Sequence, residues 1–571
     1  MTVPIGRRRT DGDPSVARTR RRGSSLTRST GVMVAGTLAS RITGVGRNIA
    51  FAGLTVGVVT DTYLVANSAP NMVYELVVGG VLSSTLVPLF VDLLTRRDRG
   101  DRDAADGMST IVTIAIAAVL MLSVALFLAA PLLIRGVFMP GEDVVKQRVA
   151  TTLLRMFAPQ VAVYGGITIG TALLNARRRF GAPSAAPVLN NLVVTGVFLW
   201  ARHIMGGLAA KAELATGSPL SDTARLALID ASSQAKLVLG LGTTAGVLIM
   251  GIAILPDLRG ADLGLRLHWD PRHGAVRRLA ALSGWTVGYV VANQVALLFI
   301  INAAGRGDNG DWTAYNLANT TFFLLPHGVL AVSIITAIQP ELASAFVARA
   351  RGRFRRQVVR GIRTVLMLLV PASVGYVVLA HPIVELVLGR TAGRTADALW
   401  PMAVGLPGFS VYLLLMGSLK SMRDTRATFE VNVLENAINI VAAALLIGPF
   451  GLRGLAFSFA IAYSVGAVIA GVVVSRRTNG LGGTALIGTG LRVLAASAAM
   501  GLAVLATVHL CDKAFFPGGR PPGRSAGLVV EVIASMGVGV TVYLFAGRLA
   551  GLSELTGLVS TFRRRLGRAV R

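Results

Sequence analysis

About fourteen stretches of this chain are apolar over the length of a membrane-spanning helix: 31–57, 61–92, 110–138, 150–174, 184–202, 235–256, 275–304, 312–346, 362–389, 397–422, 427–449, 452–474, 484–510 and 526–549. A helix needs about 20 residues to cross hydrocarbon, and inside a bilayer the backbone must satisfy its own hydrogen bonds. The expected fold is therefore an all-α polytopic membrane protein with about 14 transmembrane helices. An even number puts both termini on one side. Composition agrees. Of 571 residues, 53% are hydrophobic and only 15% charged, where a soluble protein carries about a quarter.

The net charge of +28 raises the question of nucleic acid, and the distribution of charge argues against it. With the N-terminus inside, roughly 38 Lys and Arg fall in the predicted cytoplasmic segments and about 14 in the outward ones, the asymmetry of the positive-inside rule. The inside segments are short and basic: "TRRDRGDR" (95–102), "NARRRFG" (175–181), "RARGRFRRQVVRGIR" (349–363), "KSMRDTR" (420–426) and "FRRRLGRAVR" (562–571). Contact with anionic membrane lipids is a secondary use of such charge. Residues 1–30 hold eight Arg and no apolar run, so a disordered cytoplasmic tail is expected there, and a second basic tail at 550–571. A cleaved signal peptide is not expected, because the next apolar run is too long and contains arginine. The single cysteine, Cys511, excludes an internal disulfide and a cysteine-based metal site.

The longest outward loop is expected at 203–234, and 257–274 is expected to connect spans 6 and 7 on the inside, partly in the interface, since Leu, Trp and basic residues alternate there. Span 2 ("DTYLVANSAPN") and span 8 ("DWTAYNLANTT") share an opening Asp, early Asn, a proline mid-span (Pro70, Pro326) and a following glycine (Gly80, Gly328). This points to duplication: two six-helix lobes of the same orientation, 31–256 and 275–474, related about the membrane normal, with spans 13 and 14 (484–549) appended. Gly166/Gly170 and Gly284/Gly288 have the small-residue spacing of close helix packing.

Polar residues inside such spans are the informative ones, since a charge at mid-bilayer costs roughly 2.5–3.5 kcal/mol on insertion scales. One cluster joins spans 1 and 2: Ser40, Arg41, Arg47, Asn48, Asp61, Asn67, Asn71, Tyr74 and Glu75. Arg41 and Arg47 lie about 120° apart on an ideal helix, on one broad face. Two arginines can bind a diphosphate through bidentate hydrogen bonds; the alternative is internal pairing, Arg47 with Asp61 or Arg41 with Glu75. A second cluster lies in spans 7 and 8 (Asn293, Gln294, Asn302, Asn316, Asn319, Thr320, Thr321), where His327 after Pro326 reads as structural. In span 11, Glu435 and Asn439 form an i,i+4 pair open to cation or proton coupling or to plain helix–helix hydrogen bonding. No nucleophile elbow, HExxH, P-loop or Cys/His cluster is present in the sequence. An enzyme is therefore not expected, no cofactor is called for, and transport would draw on an ion gradient or the membrane potential.

The stretches "SRITGVGRNIAFAG", "TDTYLVANSAPNMVYELVVGGVLSSTLVPLF", "ALLNARRRFGAPSAAPVLNN", "LPHGVLAVSIITAIQPELA" and "RDTRATFEVNVLENAINI" resemble the MurJ (MviN) family, the proposed lipid II flippases of peptidoglycan synthesis. The resemblance implies the fold of the multidrug/oligosaccharidyl-lipid/polysaccharide exporters: two six-helix lobes around a central cavity, with spans 13–14 forming a groove for a lipid tail. It implies a bacterial cytoplasmic-membrane location and a lipid-linked diphosphate sugar as substrate. Cell-wall synthesis or division proteins are the partners it suggests. The family's first-span serine and arginines fall on Ser40, Arg41 and Arg47, and its second-span aspartate on Asp61. The sequence departs from the family where an aspartate would be Asn48, and where arginines would be Tyr74 and Thr321. A cation site described for some members would fall on Ile300, Asn439 and Ala443; only Asn439 keeps its ligand type, with Glu435 as the available substitute for a sodium or proton site. The expected substrate-binding set is Ser40, Arg41, Arg47, Asp61, Asn71 and Tyr74. Alternatives are export of another lipid-linked oligosaccharide, cation-coupled drug export, which would favour acidic and aromatic cavity residues, or a non-transporting scaffold for cell-wall enzymes.

Overall fold

The computed structural model describes residues 35–54, 57–77, 86–389, 392–517 and 526–552. Both basic tails, except Ala550–Leu552, and Gly80 of the repeated pattern lie outside the described residues. The described chain is helical without strands. Its helices are α1 (35–52), α2 (Val58–Val77), α3 (Leu86–Arg97), α4 (Arg102–Leu133), α5 (Val144–Phe157), α6 (Pro159–Ala176), α7 (Gly181–Thr216), α8 (Asp222–Ala231), α9 (Ser233–Arg259) and α10 (Gly274–Gly305). There follow α11 (Asp311–Val347), α12 (Arg351–Leu388), α13 (Ala392–Val404), α14 (Leu406–Ser421), α15 (Thr425–Thr478), α16 (Gly483–Phe515) and α17 (Ala526–Leu549).

Local chemistry sets where these helices start. Asp101, Asp143, Ser221, Ser232 and Asp424 each accept a hydrogen bond from a backbone N–H in the first turn of α4, α5, α8, α9 and α15, satisfying donors the helix leaves open. Among the described residues, ten helices are long and apolar enough to cross a membrane, or eleven when the pair around Gly405, bent by 54°, counts as one span. α15 has 54 residues and would be about 81 Å long if straight, far beyond the ~30 Å hydrocarbon core. It breaks at Gly451 (φ 53°, ψ −134°) and so carries two crossings. With α1 and the α2–α3 pair, this arrangement is compatible with fourteen spans.

One expectation needs correcting. The stretch 203–234 is not an extended loop: α7 runs on to Thr216 and α8 fills most of the remainder. The run "GGLAAKAELAT" is rich in Ala, Leu, Lys and Glu, good helix formers, and a hydropathy reading ends a span where a helix need not end. The connector beyond α9 is non-helical; its Leu267 and Trp269 are 94% and 62% exposed, in keeping with an interfacial position.

α1 to α9 pack mainly with one another, as do α10 to α15. α1 lies on α7, where Asn191 Nδ2 donates to the Ser40 carbonyl at 3.0 Å. α16 and α17 pair together and rest on α12 through Met367, Leu379, Val493, Met500 and Tyr543; the Tyr543 hydroxyl donates to the Met367 carbonyl at 2.7 Å. Of the spaced glycines, Gly170 abuts Leu258 and Gly288 abuts Phe429. The turns rich in arginine gather at one end, here the basic end. There Arg97 and Arg177 both donate to the Asp262 carbonyl, at 2.8 and 3.3 Å. The turns at 139–143, 217–221 and 306–310 form the far end.

Candidate functional site

Span 1 places its polar residues against span 8 across the interface of the two helix groups. Arg47, half-buried, donates from Nε and Nη2 to Asn48 Oδ1 at 3.4 and 3.2 Å. Asn48 Nδ2 then donates to Thr321 Oγ1 at 2.9 Å. Two turns nearer the basic end, Arg41 is exposed, and its guanidinium lies against Gly328, where an added Cβ would stand 3.1 Å from Nη2. Both contact points on α11 fall in widened π-helical turns, Ala318–Phe323 and His327–Ala331, on either side of Pro326. Such turns arise where the regular backbone ladder is interrupted, and here they open space for the facing side chains. Neither arginine forms an ion pair among the described residues, so the pairings of Arg47 with Asp61 and Arg41 with Glu75 do not form.

Arg47 and Asn48 line a polar cavity of about 290 Å³ with Asn67, Asn71, Gln160 and Asn316. The cavity is rich in amides. Asn71 is exposed and donates to Asn67 Oδ1 at 2.9 Å. Polar exposed residues continue toward the basic end, Glu75 on α2 and Thr336 and Gln339 on α11. Tyr74 lies just outside the lining: its ring packs on Tyr164, with centroids 4.9 Å apart, and its hydroxyl accepts from Thr168 at 3.3 Å. Ser40 is half-buried beside Asn191. Gln160, Tyr164, Asn190 and Asn191 were not singled out from sequence. They carry the signal used for the others, a polar side chain inside an apolar span.

Asp61 stands apart from that cavity. It is 5% exposed and its carboxylate accepts from the Gly310 N–H at 2.7 Å, the Thr313 N–H at 2.8 Å and the Thr313 hydroxyl at 2.6 Å. It thus caps the N-terminus of α11 from the other helix group, where the helix dipole favours negative charge. Asn302 adds a second tie at the same end, donating to the Val137 carbonyl at 2.9 Å. A larger cavity of about 900 Å³ lies at the far end between α10 and the break at Gly451. Most of its lining is apolar, as with Leu298, Phe299 and Leu455, with Asn302, Arg306 and Asp311 at its polar edge, and none of the expected substrate-binding residues reaches it.

The span 11 residues are buried in a separate place. Asn439 accepts from Ser458 Oγ at 3.1 Å. Glu435 is fully buried. Ile300 and Ala443 are buried apolar residues and supply no ligand. Among the described residues no group of three or more His, Cys, Asp or Glu is placed to hold a metal. His327 is buried, its Nδ1 2.9 Å from Ser410 Oγ and its ring edge-on to Phe409, a packing role.

A family model described as "Lipid II flippase MurJ" matches residues 52–523. The chain belongs to this family. A "Probable lipid II flippase MurJ" from Rhizobium tropici is 25% identical over 514 residues, 88% of this chain and 91% of that protein. A "Lipid II flippase MurJ" from Burkholderia cenocepacia is 22% identical over 74% of this chain and 79% of its own length. Among solved structures, a lipid II flippase MurJ in an inward closed conformation superposes with a TM-score of 0.68 at 19% identity, covering 90% of this chain and 98% of that one. An inward-facing multidrug resistance MATE transporter of the MOP superfamily gives 0.60 at 12% identity over 78% and 98%. These likenesses show that this MurJ-family chain shares the MOP fold.

Proposed function

We propose that the protein moves a lipid-linked diphosphate sugar, the peptidoglycan precursor lipid II, from the inner to the outer leaflet of the bacterial cytoplasmic membrane. The observation that carries this is the position of Arg47 and Arg41. Two arginines without an ion pair are set about 9 Å apart along the axis of one helix, one in an amide-lined cavity and one exposed toward the basic end. A diphosphate cannot cross hydrocarbon bare, and bidentate guanidinium contacts in a hydrated cavity replace its water. The amides of Asn67, Asn71 and Gln160 suit sugar hydroxyls. Ser40 and Tyr74 hold the helices that carry these groups, and Asp61 ties the far end.

The basic end is cytoplasmic on the positive-inside rule, which puts both termini there. The state described is closed at the far end by Asp61 and Asn302 and reached from the cytoplasm. Alternating access then needs the far-end ties to part. The polyprenyl tail stays in lipid beside α16 and α17. The family acts in transport rather than catalysis, and a cation bound in the second helix group, near Glu435 and Asn439, is the coupling arrangement that fits. The test is complementation of a flippase-depleted strain together with binding of purified lipid II. Arg41→Ala and Arg47→Ala should each abolish growth and weaken binding at least tenfold. Normal growth with both replaced would overturn the reading.

A further inference from the structure

Glu435 is 0% exposed, and neither carboxylate oxygen has a hydrogen-bond partner. One turn earlier, Asn432 Oδ1 is also buried without a donor. The pocket therefore holds three acceptor oxygens that no donor engages. An ionised carboxylate in that position loses its hydration and gains nothing in return. The groups around it supply no countercharge. α10 brings Tyr289, α11 brings Tyr315, α14 brings Tyr412, and the second arm of α15 brings Tyr463. α13 brings Asp397, but to Arg453 at 2.7 Å rather than to this pocket, and α12 brings no charged partner to Glu435 among the described residues. The space is made by Gly466, where a Cβ would stand 3.0 Å from Glu435 Cγ and 3.2 Å from the Tyr412 ring.

A metal ion would need several oxygens in place of its water, and beyond the Glu435 carboxylate and Asn432 Oδ1 the amide oxygens of Asn293 and Asn439 are committed. Asn293 Oδ1 takes the side-chain N–H groups of Asn432 and Asn436 at 3.0 and 2.9 Å, and Asn439 Oδ1 takes Ser458. A proton needs only one oxygen, and it turns an acceptor-only carboxylate into a donor where acceptors are in surplus. A line of polar side chains leads toward the carboxylate from the basic end. Lys420, exposed near the basic end, lies 5.2 Å from the centre of the Tyr289 ring; Tyr289 hydrogen-bonds Asn293, and Asn293 contacts Asn432, one turn from Glu435.

We propose that Glu435 is a proton-binding site, loaded from the basic end past Tyr289 and occluded in the state described, and that this proton couples the transport cycle. It rests on the transport reading above for its role, though not for the binding itself. The proton comes from bulk water and returns to bulk water when the site reopens, so one O–H bond forms and the same bond breaks in each cycle.

Two measurements on the full-length protein test it. The infrared carbonyl band of a protonated carboxyl should be present at neutral pH and lost in Glu435→Gln; an unchanged spectrum overturns the binding site. In proteoliposomes carrying a labelled polyprenyl-diphosphate sugar, at fixed membrane potential and without sodium, an imposed pH gradient should change the initial transport rate at least threefold. Glu435→Gln, the neutral isostere, should lose that response while binding the lipid within twofold of wild type. Glu435→Asp should keep part of it. A rate indifferent to pH but dependent on sodium overturns the proposal in favour of a metal ion. A wild-type protein that neither binds nor moves the lipid refutes the transport reading, and the infrared band still decides the proton site.

Discussion

Asp61 shows how a single residue can belong to a site without touching its ligand. Three donors from the opposite helix group converge on its carboxylate, and hydrogen bonds to a charged group are worth about 1.5–3 kcal/mol each. Asp61→Ala should therefore loosen the far end by about 4 kcal/mol or more, three times the lower figure, with Asp61→Asn retaining part of the tie. Faster labelling of a cysteine placed at the buried Ala314 would report the opening, and unchanged labelling would show that the cap does not hold the two groups together. None of this was legible in sequence. Asp61 read as a polar intruder beside Arg47, and its partners lie about 250 residues away in a turn whose geometry depends on Gly310. Arg41 and Arg47 were legible, because charge inside an apolar run has few explanations. The isolation of Glu435 was half legible: its depth followed from helix position, while the commitment of the surrounding amides to one another did not.

At the scale of elements, hydropathy found the apolar helices and misjudged their ends, since helices continue past the membrane wherever propensity and caps allow. α7 is the plain case. Breaks carry more consequence than lengths. Gly451 holds a backbone conformation that a side chain resists, so Gly451→Ala should cost about 1–2 kcal/mol and lower the melting temperature in detergent; an unchanged midpoint would mean that the break relaxes freely. At the basic end, the turns after α3 and α6 are clasped by Asp98 and Arg177, with Nη1 2.7 Å from Oδ2. Arg177 holds the Asp98 carboxyl below its ordinary range. A carboxyl lowered in this way stabilises the fold at every pH above its unfolded value, near 3.8, and the contribution disappears as pH falls through the lower folded value. Trypsin cleavage at Arg177 should then be flat from about pH 5 to 8 and rise with added salt, because the pair is exposed and screened. Cleavage that accelerates steadily across that range would show that another group governs the turn.

For the whole molecule, the two helix groups meet through few polar ties at the far end and along spans 1 and 8, an arrangement suited to rocking about the interface. Cys511 is the chain's one cysteine, so a Cys511→Ser background permits clean engineered cross-links. Val137→Cys joined to Asn302→Cys by a short cross-linker should reduce lipid transport to background, and cleavage of the linker should restore it. Full transport with the far end joined would exclude alternating access through that end.

The cap on α11 has a consequence for the order of events. Separating Asp61 from Gly310 and Thr313 strips three donors and a charge of their partners, which is prohibitive in hydrocarbon and mild in water. The far end therefore cannot part while dry. Hydration must arrive first, and the rate at which water wets that seam would set how often the molecule opens outward.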